Sequence, residues 1–262
     1  MAEANANVDF VEGRARAFPH TNAKWIKVAG TYAMFDGRTS PITQTFGMGM
    51  SQSLNEADME ELEQFFLDRG APICHEVSPL ADPSVLPLLS QRNYQPIEFT
   101  SILYRPISTY SQLAVATNKK IAVRLTGPAE QEAWAEIAFK GWSEFGELAD
   151  FLLDLGKVNS QRKNALTFFA ELDGRPIATG LMSIFEGVAL LAGASTVPEG
   201  RRQGAQLALL ESRLRFAAEN GCDIAMMGAL PGSASQRNAE RHNFRIAYTR
   251  IKWQRGSFVT GS

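Results

Sequence analysis

Two distant stretches of this chain carry the same signals in the same order. In the first, an apolar helical face (Met59, Leu62, Phe66) stops at Gly70, a short strand covers Pro72 to Val77 and a short helix covers Pro83 to Gln91. Arg92-Asn93-Tyr94 then leads into a strand ending near Pro106. In the second, a helix from about Gly204 to Asn220, with Leu207, Leu210, Leu214 and Ala218 on one face, stops at Gly221. A short strand, Ile224 to Ala229, follows; its continuous apolar run predicts burial on both faces. After Pro231-Gly232, Ser233 or Ser235 can cap a helix through Arg241, and His242-Asn243-Phe244 opens a last strand to Trp253. Gly70 to Tyr94 spans 24 positions and Gly221 to Phe244 spans 23, which predicts a duplicated α/β unit. The helix of the first copy is expected to start at a capping box, Ser53-Leu54-Asn55-Glu56.

A length of 262 residues suits two domains. The divisions expected are 1–110, a polar linker at 111–119, a second domain at 120–255 and a tail at 256–262. A hydrophobic share of 45% can fill two cores, and a net charge of −2 argues against coating a nucleic acid. Cys74 and Cys222 have no metal or redox spacing and read as buried reduced thiols, which implies a cytoplasmic protein. The opening Met1-Ala2-Glu3-Ala4-Asn5 lacks the features of a signal peptide. No apolar run approaches the roughly 20 residues of a membrane helix. His20, His75 and His242 are scattered, read as surface or strand-end residues and imply no metal. Arg245, Arg250, Lys252 and Arg255 partly share a strand face, read as solvated, while Met48, Met50, Met226 and Met227 read as core residues in strands. Gly47 and Gly49 can admit a close ligand or backbone.

The second half has further elements upstream. Lys120 to Thr126 reads as a strand, and Gly127-Pro128 starts a helix with Trp134, Ile137, Ala138 and Gly141 on one face. A second helix carries Leu148, Phe151, Leu152 and Leu155, with Gly156 as its stop. Three strands follow: Leu166 to Leu172, Pro176 to Phe185 after the turn Asp173-Gly174, and Val188 to Val197 after Gly187.

Between the last of these strands and the next helix lies Val197-Pro198-Glu199-Gly200-Arg201-Arg202-Gln203-Gly204-Ala205-Gln206. Unsatisfied N–H groups at a helix start, glycine and two arginines make an anion site suited to a pyrophosphate. This stretch, with the element order around it, resembles the GNAT acyltransferases, whose fourth strand runs into Arg/Gln-x-x-Gly-x-Gly/Ala. Arg201-x-x-Gly204 matches, and Gln206 stands where the second Gly or Ala would be. The resemblance implies an α/β (α+β) fold of two GNAT-like domains, each a mixed, mostly antiparallel sheet flanked by helices. It implies an acetyl-CoA (acyl-CoA) cofactor held by Ser195, Thr196 and Val197 along its pantetheine arm, by Arg201, Arg202, Gln203, Gly204, Ala205 and Gln206 at its pyrophosphate, and by Asn238. Trp142 and Phe145 would wall the acceptor pocket.

The catalytic pair is not readable. Val188 to Val197 holds no Asp, Glu or His, and Ala239 fills the slot of the family's frequent tyrosine. Glu144 and Glu147 are the remaining candidates for a base. In the first half, acidic residues Glu56, Asp58, Glu60 and Glu61 would repel a pyrophosphate, so that half is expected not to bind coenzyme A. The expected activity is N-acetyl (or other acyl) transfer to a small-molecule amine or a peptide amine. The alternatives are a non-catalytic acyl-CoA-binding sensor and an aminoacyl-tRNA-dependent transferase, although so neutral a chain argues against nucleic acid as a partner.

Overall fold

A computed structural model describes residues 1–107, 118–142 and 149–256. The chain runs α1 (Ala2–Ala17), β1 (Lys24–Val28), β2 (Thr31–Phe35), β3 (Gln44–Phe46), α2 (Glu56–Leu67), β4 (Cys74–Val77), α3 (Val85–Gln91), β5 (Tyr94–Pro106) and β6 (Ile121–Leu125). It continues α4 (Gln131–Gly141), α5 (Ala149–Gln161), β7 (Leu166–Leu172), β8 (Arg175–Phe185), β9 (Val188–Thr196), α6 (Ala205–Glu219), β10 (Ile224–Ala229), α7 (Ala234–Arg241) and β11 (Arg245–Arg255).

The strands form one mixed, mostly antiparallel sheet, ordered β1-β2-β3-β4-β11-β5-β10-β9-β8-β7-β6. The halves therefore share a sheet, and they do so by exchanging their last strands. β11 lies antiparallel between β4 and β5, and β5 lies antiparallel between β11 and β10. The central order β3-β4-β11-β5-β10-β9 is unchanged when each first-half strand is swapped for its second-half counterpart, and the pairs β3/β4 and β9/β10 are both parallel. The largest cluster of each half stays separate, one around Met59, Leu62 and Phe66 under α2 and one around Leu209, Leu214 and Ala225 under α6, while a third, around Phe10, Met34 and Val158, draws on both halves.

The exchange changes the reading of the basic strand face. Set in the middle of the sheet, β11 pairs its cations with carboxylates of the first half: Arg250 with Glu76 and Glu3, Lys252 with Glu98, and Arg255 with Glu63. His75 is not a surface residue either. On β4 it is fully buried, its Nδ1 2.9 Å from Thr45 Oγ1 and its Nε2 2.9 Å from Tyr94 Oη.

Local signals select most elements. Asp173 and Gly174 both have positive φ (50° and 76°), as a two-residue hairpin turn requires. The α2 capping box sits two residues later than Ser53: Asp58 N–H donates to Asn55 Oδ1 at 3.0 Å, and Asn55 N–H donates to Asp58 Oδ2 at 2.9 Å. Met48 and Met50 follow β3 in a turn, where Met48 is buried and Met50 exposed. Beside them Gly49 admits backbone: its carbonyl accepts the Asp82 N–H at 2.8 Å. β10 is not buried on both faces, because Ile224 is exposed and Met227 and Gly228 line a cavity.

Gly156 does not stop α5 but lies within it. An added Cβ would sit 2.6 Å from the Gln131 carbonyl oxygen and 2.9 Å from Ala135 Cβ, so glycine lets α5 press onto α4. Gly156→Ala is expected to destabilise the protein by about 1–3 kcal/mol, the backbone clash outweighing the roughly 1 kcal/mol that alanine gains in a helix; urea unfolding measures it. The remaining apolar residues named for this helix, Leu148, Phe151 and Leu152, lie outside the described residues and side chains, as does most of the linker at 111–119.

α1 joins the halves. Asp9 pairs with Arg162 beyond the end of α5 at 3.1 Å and accepts the Lys163 N–H at 2.9 Å, while Arg14 pairs with Asp36 after β2 at 2.8 Å. Ala2, Ala4, Ala6, Phe10, Val11 and Gly13 are all buried. Among the described residues, no helix is long and apolar enough to cross a membrane.

Candidate active site

Strand β9 holds the centre of the second half. It pairs with β10 only from Val188 to Leu190, and beyond Leu190 the two strands part. On its other edge β9 stays bonded to β8 through Thr196, with a register shift where Gly193 takes φ +57°. The result is a split in the sheet with a kinked wall.

At the upper end of this split α6 begins without a side-chain cap. Its N-cap, Gly204, has φ +89°, a conformation only glycine adopts freely, and the first helical bond returns from the Ala208 N–H to the Gly204 carbonyl at 3.0 Å. The amides of Ala205, Gln206 and Leu207 precede any helical acceptor and face a cavity of about 590 Å³. Gln206 does not plug it, because its Nε2 donates to Thr196 Oγ1 at 2.7 Å and ties the helix start to the end of β9. Arg201 and Arg202 are exposed at the rim, Arg202 with φ +63°. The matching helix of the first half is built the opposite way: α2 satisfies its first amides with its own capping box and adds Glu56 and Asp58 in its first turn. Only α6 of the two keeps an open, positive end.

The cavity brings together Ser195, Thr196, Arg201, Arg202, Gly204, Ala205, Gln206, Asn238 and Trp142. Val197 and Gln203 do not line it. Val197 is buried with both backbone groups in use: its N–H donates to Ile177 O at 2.9 Å and its carbonyl accepts the Gly200 N–H at 2.9 Å. It is therefore unavailable to an added strand or an oxyanion. The Gln203 carbonyl is held by Asn118 Nδ2 at 2.9 Å. Glu144, Phe145 and Glu147 lie outside the described residues.

A second cavity, of about 540 Å³, shares Trp142, Ala194, Gln206 and Asn238 with the first and runs deeper between β9, β10, α6 and α7. Ala239 lines it where a tyrosine would bring a hydroxyl. Among the described residues, no carboxylate, imidazole or phenol lines either cavity. The arrangement can hold an anion at its mouth and an extended chain along β9.

Sequence reasoning missed three residues here. Gly141, at the end of α4, touches β9: an added Cβ would lie 2.7 Å from Ser195 Cβ and 2.9 Å from the Thr196 nitrogen. Gly193 makes the kink. Arg213, on α6, is buried in the floor of the deeper cavity although its charge would place it on the solvent side. An arginine between Leu210 and Leu214 was the available signal.

No family model matches this chain. No curated protein matches it either. Solved structures do: a GCN5-related N-acetyltransferase from Kribbella flavida superposes with a TM-score of 0.66 at 17% identity, over 99% of this chain and 97% of that one. One from Sphaerobacter thermophilus gives 0.57 at 16%, over 86% and 76%. A tandem GNAT protein from the clavulanic acid biosynthesis pathway gives 0.57 at 14%, over 77% and 70%.

Proposed function

From the tandem GNAT fold, which this chain has, we propose that it is an acyl-CoA-dependent N-acyltransferase whose second half alone binds the cofactor, acetyl-CoA or a related acyl-CoA. The observation that carries this reading is the uncapped, glycine-started α6 opening onto a split beside β9, set against the self-capped and acidic α2. The residues fit the group. Amides of Ala205, Gln206 and Leu207 with Arg201 and Arg202 suit a pyrophosphate, and no Cβ at Gly204 intrudes. The free edge of β9 up to Thr196 suits an extended arm bound as an added strand. Asn238, on α7, offers an amide to either cavity. The cofactor would supply an activated acyl thioester.

The acceptor in this reading is an amine, first of a small molecule and second of a peptide. No base lines the cavities among the described residues, so Glu144 and Glu147 remain the candidates to take the proton of the amine, and the rest of the chain contributes position and dehydration. Trp142, at the join of the two cavities, would face the reacting end. The first half, with its closed α2, would complete the central sheet through β5 and not hold cofactor.

The bare lining also favours a second reading, an acyl-CoA-binding module without turnover. Calorimetric titration of acetyl-coenzyme A is expected to show saturable binding near one per chain. Release of free thiol on adding amines then separates enzyme from module. No binding would remove both.

A further inference from the structure

The deeper cavity carries a charge that acyl transfer itself does not require. Arg213 is 4% exposed and its guanidinium lies against Gly180, where an added Cβ would approach Cζ to 3.2 Å. Nε donates to the Leu209 carbonyl at 3.2 Å, and Nη1 donates to the carbonyls of Leu181 at 3.1 Å and Ala192 at 3.2 Å. These bonds use Nε and Nη1; Nη2 makes none to the described residues, and Arg213 lines the cavity. Burial lowers its pKa to about 10, with no acidic neighbour acting against that, so it stays charged at neutral pH. Arg241 lines the same cavity, and among the described residues no Asp or Glu does. A buried cation met only by carbonyl dipoles is costly, and a cavity beside it gives a counter-ion a place to enter.

We propose that this cavity receives a carboxylate, held by Arg213 in its floor and Arg241 at its rim, and that the donor is therefore an acyl thioester whose acyl chain itself ends in a carboxylate. This rests on the acyltransferase reading above. The donor is favoured over the acceptor as the source because the cavity is continuous with the cofactor groove, sharing Ala194, Gln206 and Asn238 with it, and because Arg213 and Arg241 come from α6 and α7, which flank that groove. Nη1 of Arg213 is bonded at Ala192, one residue before the kink at Gly193, so a charge on Nη2 stands beside the bend in β9.

Matched pairs of thioesters test this by calorimetry on the whole chain: malonyl- against propionyl-, succinyl- against butyryl-, and glutaryl- against pentanoyl-coenzyme A. Within each pair the chain length is constant and only the carboxylate changes. At least one acid is expected to bind about tenfold or more tighter than its neutral partner, the scale of a charge-assisted hydrogen bond. In Arg213→Gln, whose amide nitrogen stands where Nε does and can still donate to the Leu209 carbonyl, that ratio is expected to fall to near one. Equal binding within all three pairs by the unaltered protein overturns the proposal and leaves Arg213 as a clasp on the bend. If neither member of any pair binds, the acyltransferase reading falls and takes this proposal with it. If Arg213→Gln fails to fold, the unaltered protein still decides.

Discussion

Gly204→Trp is expected to lower the affinity for acetyl-coenzyme A by at least about 100-fold while leaving the protein folded, because two or more charge-assisted bonds to the α6 amides would be lost. The substitution separates site from scaffold. A Cβ added at Gly204 meets nothing nearer than Asn118 Cβ at 3.8 Å, so the new side chain starts from open space beside the uncapped helix start. Its φ of +89° strains any residue with a side chain, so a stability loss of about 1–2 kcal/mol accompanies it. Far-ultraviolet circular dichroism and urea unfolding check the fold, and titration checks the binding. Normal affinity in the folded variant would mean that the cofactor, if there is one, lies elsewhere.

The largest expected effect of pH on stability centres on His75. Tyr94 Oη donates to Glu63 Oε1 at 3.1 Å, so its oxygen accepts from His75 Nε2–H, and His75 Nδ1 accepts from Thr45 Oγ1–H. The ring is neutral, and burial lowers its pKa to about 3 from the usual 6.5. Between those values the unfolded chain binds a proton that the folded chain refuses. The stability this residue confers is complete above pH 6.5, falls as the solution is acidified, and is gone below about pH 3. From pH 7 to pH 5 the loss is about 2 kcal/mol. The neighbouring Glu76 acts in the opposite sense: burial, working against Arg250, raises its carboxyl to about 7, so it favours folding as pH falls. Comparing unfolding at pH 7 and pH 5 in the unaltered protein and in His75→Gln cancels Glu76 and the other carboxylates. The unaltered protein should lose about 2 kcal/mol more than His75→Gln; equal losses would mean that the imidazole is protonated in the fold.

What the sequence makes legible is local. The hairpin Asp173-Gly174, the helix stops near Gly70 and Gly221, and the Ser233 cap each depend on a few adjacent residues, and each is where the pattern places it. The glycine-rich start of α6 is readable for the same reason, since its chemistry lies in consecutive backbone amides. What is not legible depends on distant partners. α1 has no clean apolar face because it is packed from several directions. Nothing in the alternation of Phe244 to Trp253 says which strands will flank it, so His75, Arg250 and Arg255 read as surface groups until β11 is placed between β4 and β5. Gly156 follows apolar helical residues as a stop would, and only the Gln131 carbonyl distinguishes close packing from termination. Arg213 is hidden by its own charge.

The exchange of last strands also governs how the molecule is made. The chain emerges from its N-terminus, and β5 is complete at Pro106, but the strand that separates it from β4 ends at Arg255. Through most of synthesis the first half therefore presents the open edge of β4 and a β5 paired to nothing, each a template for a stray strand. Its buried carboxylate Glu76 meanwhile waits for Arg250, which arrives near the end. Contacts of such long sequence separation slow folding. Pieces divided at 111–119 would reach the native sheet only by meeting each other.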